Sequence, residues 1–254
     1  MRGQEGGDQT EDQTTDGALL AGRLSYRQFR HGYRTGIEPV LLAAAVPARV
    51  GQRVLEAGCG AGAGMLCLCA RQPGLAGAGV EADPATAALA RHNWSANGLH
   101  QLVVHETRLP TLPAGLGRFD HVFANPPWHR ANASASPLAR RDLARRAAPG
   151  LLESWIAALA PLLTRSASLT LILPAASHAQ ASGAMLDSGF GAVTLLPLWP
   201  KAGVAAKIVL LQGRAGSAAG GGVLPGLVLH KAGGGYTEDA DRVLRGGEAL
   251  YLGL

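Results

Sequence analysis

The stretch Arg53-Val54-Leu55-Glu56-Ala57-Gly58-Cys59-Gly60-Ala61-Gly62 has the pattern of a short apolar strand that runs into a glycine-rich turn. Glycine has no Cβ, so such a turn lets the backbone approach a bound ligand closely. A helix is predicted directly after it, from Ala63 to Arg71. Strand, glycine turn and helix in this order indicate an open α/β sheet whose ligand binds at the carboxyl ends of the strands.

A second predicted strand end carries a carboxylate at a spacing typical of nucleoside cofactors. Glu81 lies about nineteen residues after Gly62, where it can accept hydrogen bonds from the two hydroxyl groups of a ribose. The pattern Gly58-x-Gly60-x-x-Ala63 also satisfies the dinucleotide fingerprint, so the glycines alone leave a nicotinamide cofactor open. Glu56 favours S-adenosylmethionine, because an acid at the first strand end can meet the ammonium group of that cofactor.

The sequence Asn125-Pro126-Pro127-Trp128 follows a predicted strand, Phe119–Ala124. The prolines end the strand and leave the carbonyl groups of Asn125 and Pro126 directed into a cleft. Together with the side-chain carbonyl of Asn125, they can accept both hydrogens of an exocyclic amine, while Trp128 stacks on the ring that carries it. This loop predicts methyl transfer to nitrogen. The alternative is a strand-ending turn with Trp128 packed on the core.

Apolar runs and turn residues alternate along the chain in the order expected of a doubly wound sheet. A first helix is predicted at Ile37–Val46, and Asp83-Pro84 predicts the N-cap and first turn of a helix that ends near Asn97. The other predicted segments are strands Arg53–Glu56, Gly77–Glu81, Leu102–His105 and Ser168–Leu173, helices Leu151–Leu163 and Ser177–Asp187, and antiparallel hairpin strands Val193–Leu198 and Lys207–Gln212.

With these motifs the chain resembles the class I S-adenosylmethionine-dependent N-methyltransferases of the Asn-Pro-Pro-aromatic type. More narrowly, it is similar to the bacterial enzymes that methylate adenine N6 beside the anticodon of a valine tRNA. The similarity covers nearly everything after residue 17, including Arg27–Pro39 and the tail segments Leu224–Lys231 and Gly235–Thr237. It implies a Rossmann-like class I methyltransferase fold with a seven-stranded, mostly parallel sheet and an antiparallel hairpin at one edge.

The resemblance also implies the roles of individual residues. Thr107 aligns where relatives place an acid beside the adenine of the cofactor, and Glu106 lies one position earlier, so both are candidates for that contact. The implied cofactor residues are Glu56, Gly58, Gly60, Gly62, Glu81 and Thr107, and the implied catalytic residues are Asn125, Pro126, Pro127 and Trp128.

The target that the resemblance implies is adenine N6 in tRNA near the anticodon. Trp128-His129 is also similar to the motif of guanine-N2 rRNA methyltransferases, which keeps that base open. The same type of site serves DNA adenine and protein glutamine, and a non-catalytic RNA-binding module that retains the fold is a further alternative. The sequence contains no pattern that specifies an oligomeric state.

The charge of the chain is divided unevenly. Residues 1–16 carry five acidic residues and one basic residue, a net charge of −4. Because the whole chain has a net charge of +5, the residues after position 16 have a net charge of +9. Positive charge near a cleft attracts phosphates and favours a nucleic-acid substrate. The arginines that follow the Asn-Pro-Pro-Trp loop are therefore candidates for binding RNA: Arg130, Arg140, Arg141 and Arg145.

Length and composition predict one folded domain. Residues 1–22 are predicted to be an acidic, disordered tail and residues 23–254 the methyltransferase domain, which is large enough for a sizeable core. Cys67 and Cys69 lie among apolar residues and are predicted to be buried, with no metal site, and His121 is predicted to be a core residue. With no signal peptide and no long apolar run in the sequence, we expect a cytoplasmic protein that does not bind membranes.

Overall fold

The computed structural model describes residues 14–31, 34–127, 129–130, 146–147 and 150–253. This part of the chain forms thirteen β-strands and six α-helices. In chain order they are β1 (Thr14–Leu19), β2 (Leu24–Phe29), α1 (Glu38–Ala45), β3 (Arg53–Ala57), α2 (Ala63–Arg71), β4 (Ala76–Glu81), α3 (Pro84–Ala96), β5 (Leu102–Glu106), β6 (Phe119–Ala124), β7 (His129–Arg130), β8 (Arg146–Ala147), α4 (Leu151–Leu159), β9 (Leu163–Pro174), α5 (His178–Asp187), β10 (Phe190–Lys201), β11 (Ile208–Ala215), β12 (Gly222–Val223), β13 (Leu227–His230) and α6 (Glu238–Leu244).

A nine-stranded sheet forms the centre of the described structure, with the order β12-β10-β11-β9-β6-β3-β4-β5 and β13 also paired with β10. Strand β11 is antiparallel to both of its neighbours, and the other pairs are parallel. The predicted mostly parallel α/β sheet is confirmed, as is its antiparallel β10–β11 pair. The predicted count of seven strands is too low, because β12 and β13 are too short to produce a periodic apolar pattern.

Local chemistry accounts for several element boundaries. Asp83 caps α3 by accepting a hydrogen bond from the Thr86 backbone N–H at 3.0 Å, and Pro84 occupies the first helical position, as predicted. Helix α4 ends at Leu159 rather than at the predicted Leu163, because a 3-10 turn containing Pro161 follows it directly. Proline removes a helical hydrogen bond, which accounts for the early end.

The predicted disorder of residues 1–22 is wrong for residues 14–22. Strands β1 and β2 form an antiparallel hairpin, and Leu20, Leu24 and Tyr26 are buried against the core. Asn93 of α3 and Asn97, the residue after α3, bind the free edge of β2. Asn97 exchanges hydrogen bonds with both backbone groups of Ser25, and Asn93 does the same with Arg27. Residues 1–13 lie outside the described part of the chain, and the division into tail and domain stays a prediction.

The end of the chain returns to the first helix. Thr237 caps α6 through its hydroxyl group, which accepts a hydrogen bond from the Ala240 N–H at 3.2 Å. The Leu250 N–H then donates to the Ala44 carbonyl of α1 at 2.8 Å, and Leu252 is buried in the same apolar cluster. This cluster covers one face of the sheet, and a second cluster that includes α4 and α5 covers the other.

Other sequence predictions concern the interior and the membrane. Cys67 and Cys69 are buried, as predicted, and burial raises the pKa of each thiol to about 12. His121 is a core residue, as predicted, with its ring nitrogens 2.8 Å from the Ser168 hydroxyl group and 3.0 Å from the Gln52 side chain. Within the described residues, no helix has both the length and the apolar character needed to cross a bilayer.

Candidate active site

Strand register brings the two sequence motifs to neighbouring positions. Strands β3 and β6 are adjacent and parallel, with Glu56 opposite Phe123 and Ala57 opposite Ala124. The next residues, Gly58 and Asn125, therefore begin neighbouring loops at the carboxyl edge of the sheet. Paired strands lie about 4.8 Å apart, so one ligand can contact both loops. Ligands of open α/β sheets bind at this edge.

The glycine turn depends on backbone conformations that favour glycine. Gly58, Gly60 and Gly62 have φ values of 71°, 54° and 84°. A Cβ on Gly58 would lie 2.9 Å from the ring of Trp155, whereas a Cβ on Gly60 would meet no heavy atom of the described residues within 4 Å. Trp94 of α3 supports the turn from below, because its indole N–H donates to the Gly62 carbonyl at 3.0 Å. The turn is therefore fixed beneath Gly58 and Gly62 and open at Gly60.

Glu81 connects the second strand to the glycine turn. One carboxylate oxygen accepts hydrogen bonds from the backbone N–H groups of Ala82 and Asp83 at 2.8 and 2.9 Å, and the other accepts from the Gly60 N–H at 3.0 Å. Burial raises the pKa of this carboxyl group. A carboxylate offers about four acceptor positions, so one remains beside Gly60 for a donor such as a ribose hydroxyl group.

Glu56 has a structural contact that the sequence prediction did not include. It is 5% exposed, and its carboxylate accepts hydrogen bonds from the N–H groups of Gly64 and Met65 in the first turn of α2, the latter at 2.8 Å. Burial raises its pKa to about 8. The carboxylate thus fixes the start of α2 under the glycine turn. The predicted contact with a cofactor ammonium group stays a prediction.

The two candidates for contact with the cofactor adenine differ in their surroundings. Glu106 forms an ion pair with Arg91 at 2.7 Å, and the same guanidinium group also binds the Val104 carbonyl. Thr107 follows it, and its backbone N–H donates to the Glu81 carbonyl at 2.9 Å. Thr107 is thus attached to the strand end that carries the ribose candidate, whereas Glu106 is engaged by α3. This favours Thr107 as the residue beside the adenine.

The predicted methyl-acceptor loop is described only in its first half. Pro126 is buried, and Asn125 and Pro127 are half-buried at the end of β6. Arg130 lies in β7, which pairs with the parallel strand β8. Trp128, Arg140, Arg141 and Arg145 lie outside the described residues. Their predicted stacking and phosphate contacts stay predictions.

Sequence reasoning missed three residues that organise this edge. Trp94 binds the Gly62 carbonyl, Trp155 packs against Gly58, and Asn93 donates to the Ala61 carbonyl at 2.9 Å. Asn93 and Trp94 are consecutive residues of α3, the helix predicted from Asp83-Pro84. The sequence therefore indicated that this helix packs near β3, but not which of its side chains contact the glycine turn. Which of its polar groups would reach the turn depends on the angle between α3 and β3, which local sequence does not specify.

A family model described as the methyltransferase small domain matches residues 37–154. The tRNA1(Val) (adenine(37)-N6)-methyltransferase of Aeromonas hydrophila is 30% identical over 237 residues, which cover 90% of this chain and 97% of the relative. The chain belongs to this methyltransferase family. The protein of the same name from Porphyromonas gingivalis is 33% identical over 56% of the chain and 58% of its own length.

Solved structures share the fold of this family member. The crystal structure of a predicted O-methyltransferase from Agrobacterium tumefaciens has a TM-score of 0.71 at 24% identity, with 85% of this chain and all of that chain covered. A methyltransferase from Pyrococcus furiosus has a TM-score of 0.54 at 17% identity, covering 76% and 90%. The fold is therefore the Rossmann-like class I methyltransferase fold. As a member of the family, the chain is an S-adenosylmethionine-dependent methyltransferase.

The residues described above suit this cofactor. Gly60, the remaining acceptor position on Glu81 and Thr107, whose N–H binds the Glu81 carbonyl, lie at the carboxyl ends of the adjacent strands β3, β4 and β5. An adenosine group needs an acceptor for a ribose hydroxyl group and a glycine turn that leaves room for the chain beyond the ribose. Both features are present.

Proposed function

We propose that this enzyme methylates N6 of an adenine near the anticodon of a tRNA. The observation that carries the proposal is the register of β3 and β6. Ala57 lies opposite Ala124, so the loop that begins at Asn125 is next to the glycine turn that begins at Gly58. The relative from Aeromonas hydrophila, aligned over 97% of its length, supports tRNA as the substrate class. The positive charge of the chain after residue 16 agrees with an RNA substrate.

Positioning accounts for most of the chemistry in this proposal. Bound S-adenosylmethionine supplies a methyl group on a sulfonium centre. Asn125 and the Pro126 carbonyl accept the two amine hydrogens, which aims the nitrogen lone pair along the line of transfer and favours the positive charge that develops on nitrogen. With the cofactor bound, the new N–C bond would form as the S–C bond breaks, and the cofactor would leave as a neutral thioether. Because an amide side chain is not a base, the extra proton then leaves to water.

The remaining predicted contacts complete the substrate site. Trp128 stacks on the adenine after the base has left the stacked loop of the RNA, a contact worth about 1–3 kcal/mol per base. Arg130, Arg140, Arg141 and Arg145 bind phosphates on either side of that base. Because the proposed substrate is tRNA, the proposal also locates the enzyme in the cytoplasm.

The test compares the wild-type protein with Asn125→Ala. Both are incubated with methyl-labelled cofactor and with separate tRNA, rRNA, DNA and protein fractions, and labelled nucleosides are then identified. Label in N6-methyladenosine from tRNA supports the proposal, whereas N2-methylguanosine from rRNA would favour the alternative indicated by Trp128-His129. Asn125→Ala should lose more than about a hundredfold in turnover while calorimetry gives an unchanged cofactor affinity. Turnover at the wild-type rate would refute the role of Asn125.

A further inference from the structure

A long segment near the end of the chain contains basic residues and no acidic ones. From Ser188 to Thr237 the sequence has no aspartate or glutamate, and it has three lysines, Lys201, Lys207 and Lys231, together with Arg214. The segment forms β10–β13, which build the edge of the sheet farthest from β5. The next acidic residues along the chain begin α6, where Asp239 is ion-paired with Arg242 at 2.6 Å.

Strand register puts the three lysines at the same edge as Asn125. Ala124 is level with Leu171 of β9, which pairs with Leu211 of β11 and through it with Leu195 of β10. Lys201 ends β10 and Lys207 directly precedes β11, so both lie beyond this level in the direction of the carboxyl edge. Along the sheet, Lys207 is two strands away from β6 and Lys201 is three strands away, which corresponds to about 10–15 Å to one side.

The third lysine is fixed beside the first. Lys201 pairs with His230, so Lys231 lies immediately beyond it, and the ammonium group of Lys201 donates to the Ala232 carbonyl at 3.2 Å. The rings of His230 and Tyr236 stack with centroids 5.1 Å apart, and the Lys231 N–H donates to the Gly235 carbonyl at 3.1 Å. These contacts close the loop that carries Lys231. The loop is therefore ordered before any partner binds.

The three lysines are accessible and uncompensated. Lys201, Lys207 and Lys231 are exposed, and within the described residues none of them forms an ion pair with a carboxylate. An exposed ammonium group without a carboxylate partner can exchange its counterions for phosphates without breaking an existing pair. Three of them on one rigid edge produce a positive field toward the side on which the substrate enters.

We propose that Lys201, Lys207 and Lys231, the lysine edge, bind the phosphate backbone of the RNA substrate at nucleotides remote from the methylated base. The inference rests on the proposed function, because it takes the substrate to be RNA. It adds a second contact region to the one predicted at Arg130–Arg145. The lysine edge binds the backbone without reading sequence and orients the RNA so that the target base reaches Asn125.

The test uses the triple variant K201Q/K207Q/K231Q and a matched control, R49Q/R165Q/R214Q. Glutamine removes each charge and keeps an N–H donor at the end of the side chain. The control removes the same charge from the amino edge of the sheet, where Arg49 precedes β3, Arg165 lies near the start of β9 and Arg214 is level with Ser168. Binding of an unmodified valine tRNA transcript is measured without cofactor by fluorescence anisotropy between 0.05 and 0.2 M salt.

The lysine variant should bind the transcript at least about tenfold more weakly at the lower salt concentrations. The slope of log affinity against log salt should fall by about 2 to 3, because each phosphate contact contributes about 0.7–0.9. The control variant should change both values much less. Equal thermal transitions and equal affinities for S-adenosylmethionine show that both variants are folded.

Failure of this proposal is distinguishable from failure of the proposed function. Three results would each overturn the proposed role of the lysine edge. They are an unchanged affinity and salt slope in the lysine variant, equal losses of affinity in the two variants, and no RNA binding by the wild-type protein. Absence of N6-methyladenosine after reaction with tRNA refutes the proposed function instead. RNA binding measured without cofactor then still decides whether the lysine edge contacts RNA.

Discussion

Gly60 is the point at which the glycine turn is open to a ligand. Its φ is 54°, and a Cβ built on it would meet no heavy atom within 4 Å in the part of the chain that the structure describes. Packing against the described residues therefore does not explain the glycine, and backbone conformation and cofactor space remain as its reasons. Gly98, in the turn after α3, has a φ of 76° and is equally open with respect to the described residues, but it is not part of the glycine turn.

This pair provides a matched test. Gly60→Ala and Gly98→Ala should each lower the free energy of unfolding by about 1–2 kcal/mol, because alanine is strained in the left-handed region. Only Gly60→Ala should also weaken S-adenosylmethionine binding, by tenfold or more, because its methyl group enters the cofactor space. Urea unfolding and calorimetry measure the two effects. Equal cofactor affinity in both variants would show that the space beside Gly60 is not used.

The indole of Trp94 acts on the same turn from inside the protein. Trp94→Phe keeps the ring packing and removes the hydrogen bond to the Gly62 carbonyl, which is worth about 0.5–1.5 kcal/mol. We expect S-adenosylmethionine to bind about threefold to tenfold more weakly. Trp199→Phe is the control, since Trp199 also donates to a carbonyl, that of Pro225, but at the far edge of the sheet. A cofactor affinity reduced equally by both substitutions contradicts a specific role for Trp94.

At the scale of elements, the β1–β2 hairpin is bound to the glycine turn through one helix. Asn93 contacts Arg27 of the hairpin and Ala61 of the turn, whereas Asn97, one helical turn later, contacts Ser25 of the hairpin and the Asn93 carbonyl. The hairpin and the glycine turn are therefore connected by hydrogen bonds through Asn93.

Alanine substitutions separate these two contacts. Asn93→Ala and Asn97→Ala should both increase hydrogen exchange in residues 14–29, with losses of about 1–3 kcal/mol in local stability. Asn93→Ala alone should also reduce affinity for S-adenosylmethionine, because it releases the Ala61 carbonyl. Exchange mass spectrometry and calorimetry give the two readouts. If Asn97→Ala weakens cofactor binding as much, then hairpin docking rather than the Ala61 contact controls the turn.

Elements with a strong local signal were predictable from sequence. Helix α2 and strand β6 agree with their predicted bounds to the residue, because a glycine turn begins one and a double proline ends the other. The hairpin escaped prediction, since the acidic composition of residues 1–16 suggested disorder and since the hairpin is held by the side chains of Asn93 and Asn97, which are distant in sequence. Strands β12 and β13 are too short for a local signal and pair with the edge of β10, a tertiary contact that the sequence pattern does not reveal.

The candidate site shows the same division between local and tertiary information. The glycines, Glu81 and the Asn-Pro-Pro sequence were identifiable because their chemistry is local to strand ends. The actual partners of Glu56 and Glu106 were not, because they lie in α2 and α3 and depend on helix packing. Sequence thus specified which groups reach the edge, and tertiary structure specified which of them remain available to a ligand.

At the scale of the whole molecule, two buried groups give opposite dependences of stability on pH. Burial raises the pKa of Glu56 from 4.5 to about 8, so the folded protein holds a proton that the unfolded chain has released. The stability from Glu56 is fully present below about pH 4.5 and is lost as pH rises through about 8. Burial lowers the pKa of His121 from 6.5 to about 4, so its contribution is present above about pH 6.5 and is lost as pH falls.

Between about pH 4.5 and 6.5 the two dependences cancel, and above pH 6.5 the effect of Glu56 remains alone. The free energy of unfolding should fall by about 1.4 kcal/mol per pH unit there, or about 2 kcal/mol between pH 6.5 and 8. Glu56→Gln removes the titrating group and should flatten this decline, while His121→Asn should leave it unchanged. Urea unfolding at pH 5.5, 6.5, 7.5 and 8.5 measures the profiles. A decline of equal size in the Glu56→Gln variant would show that another group, such as the buried Glu81, carries the proton.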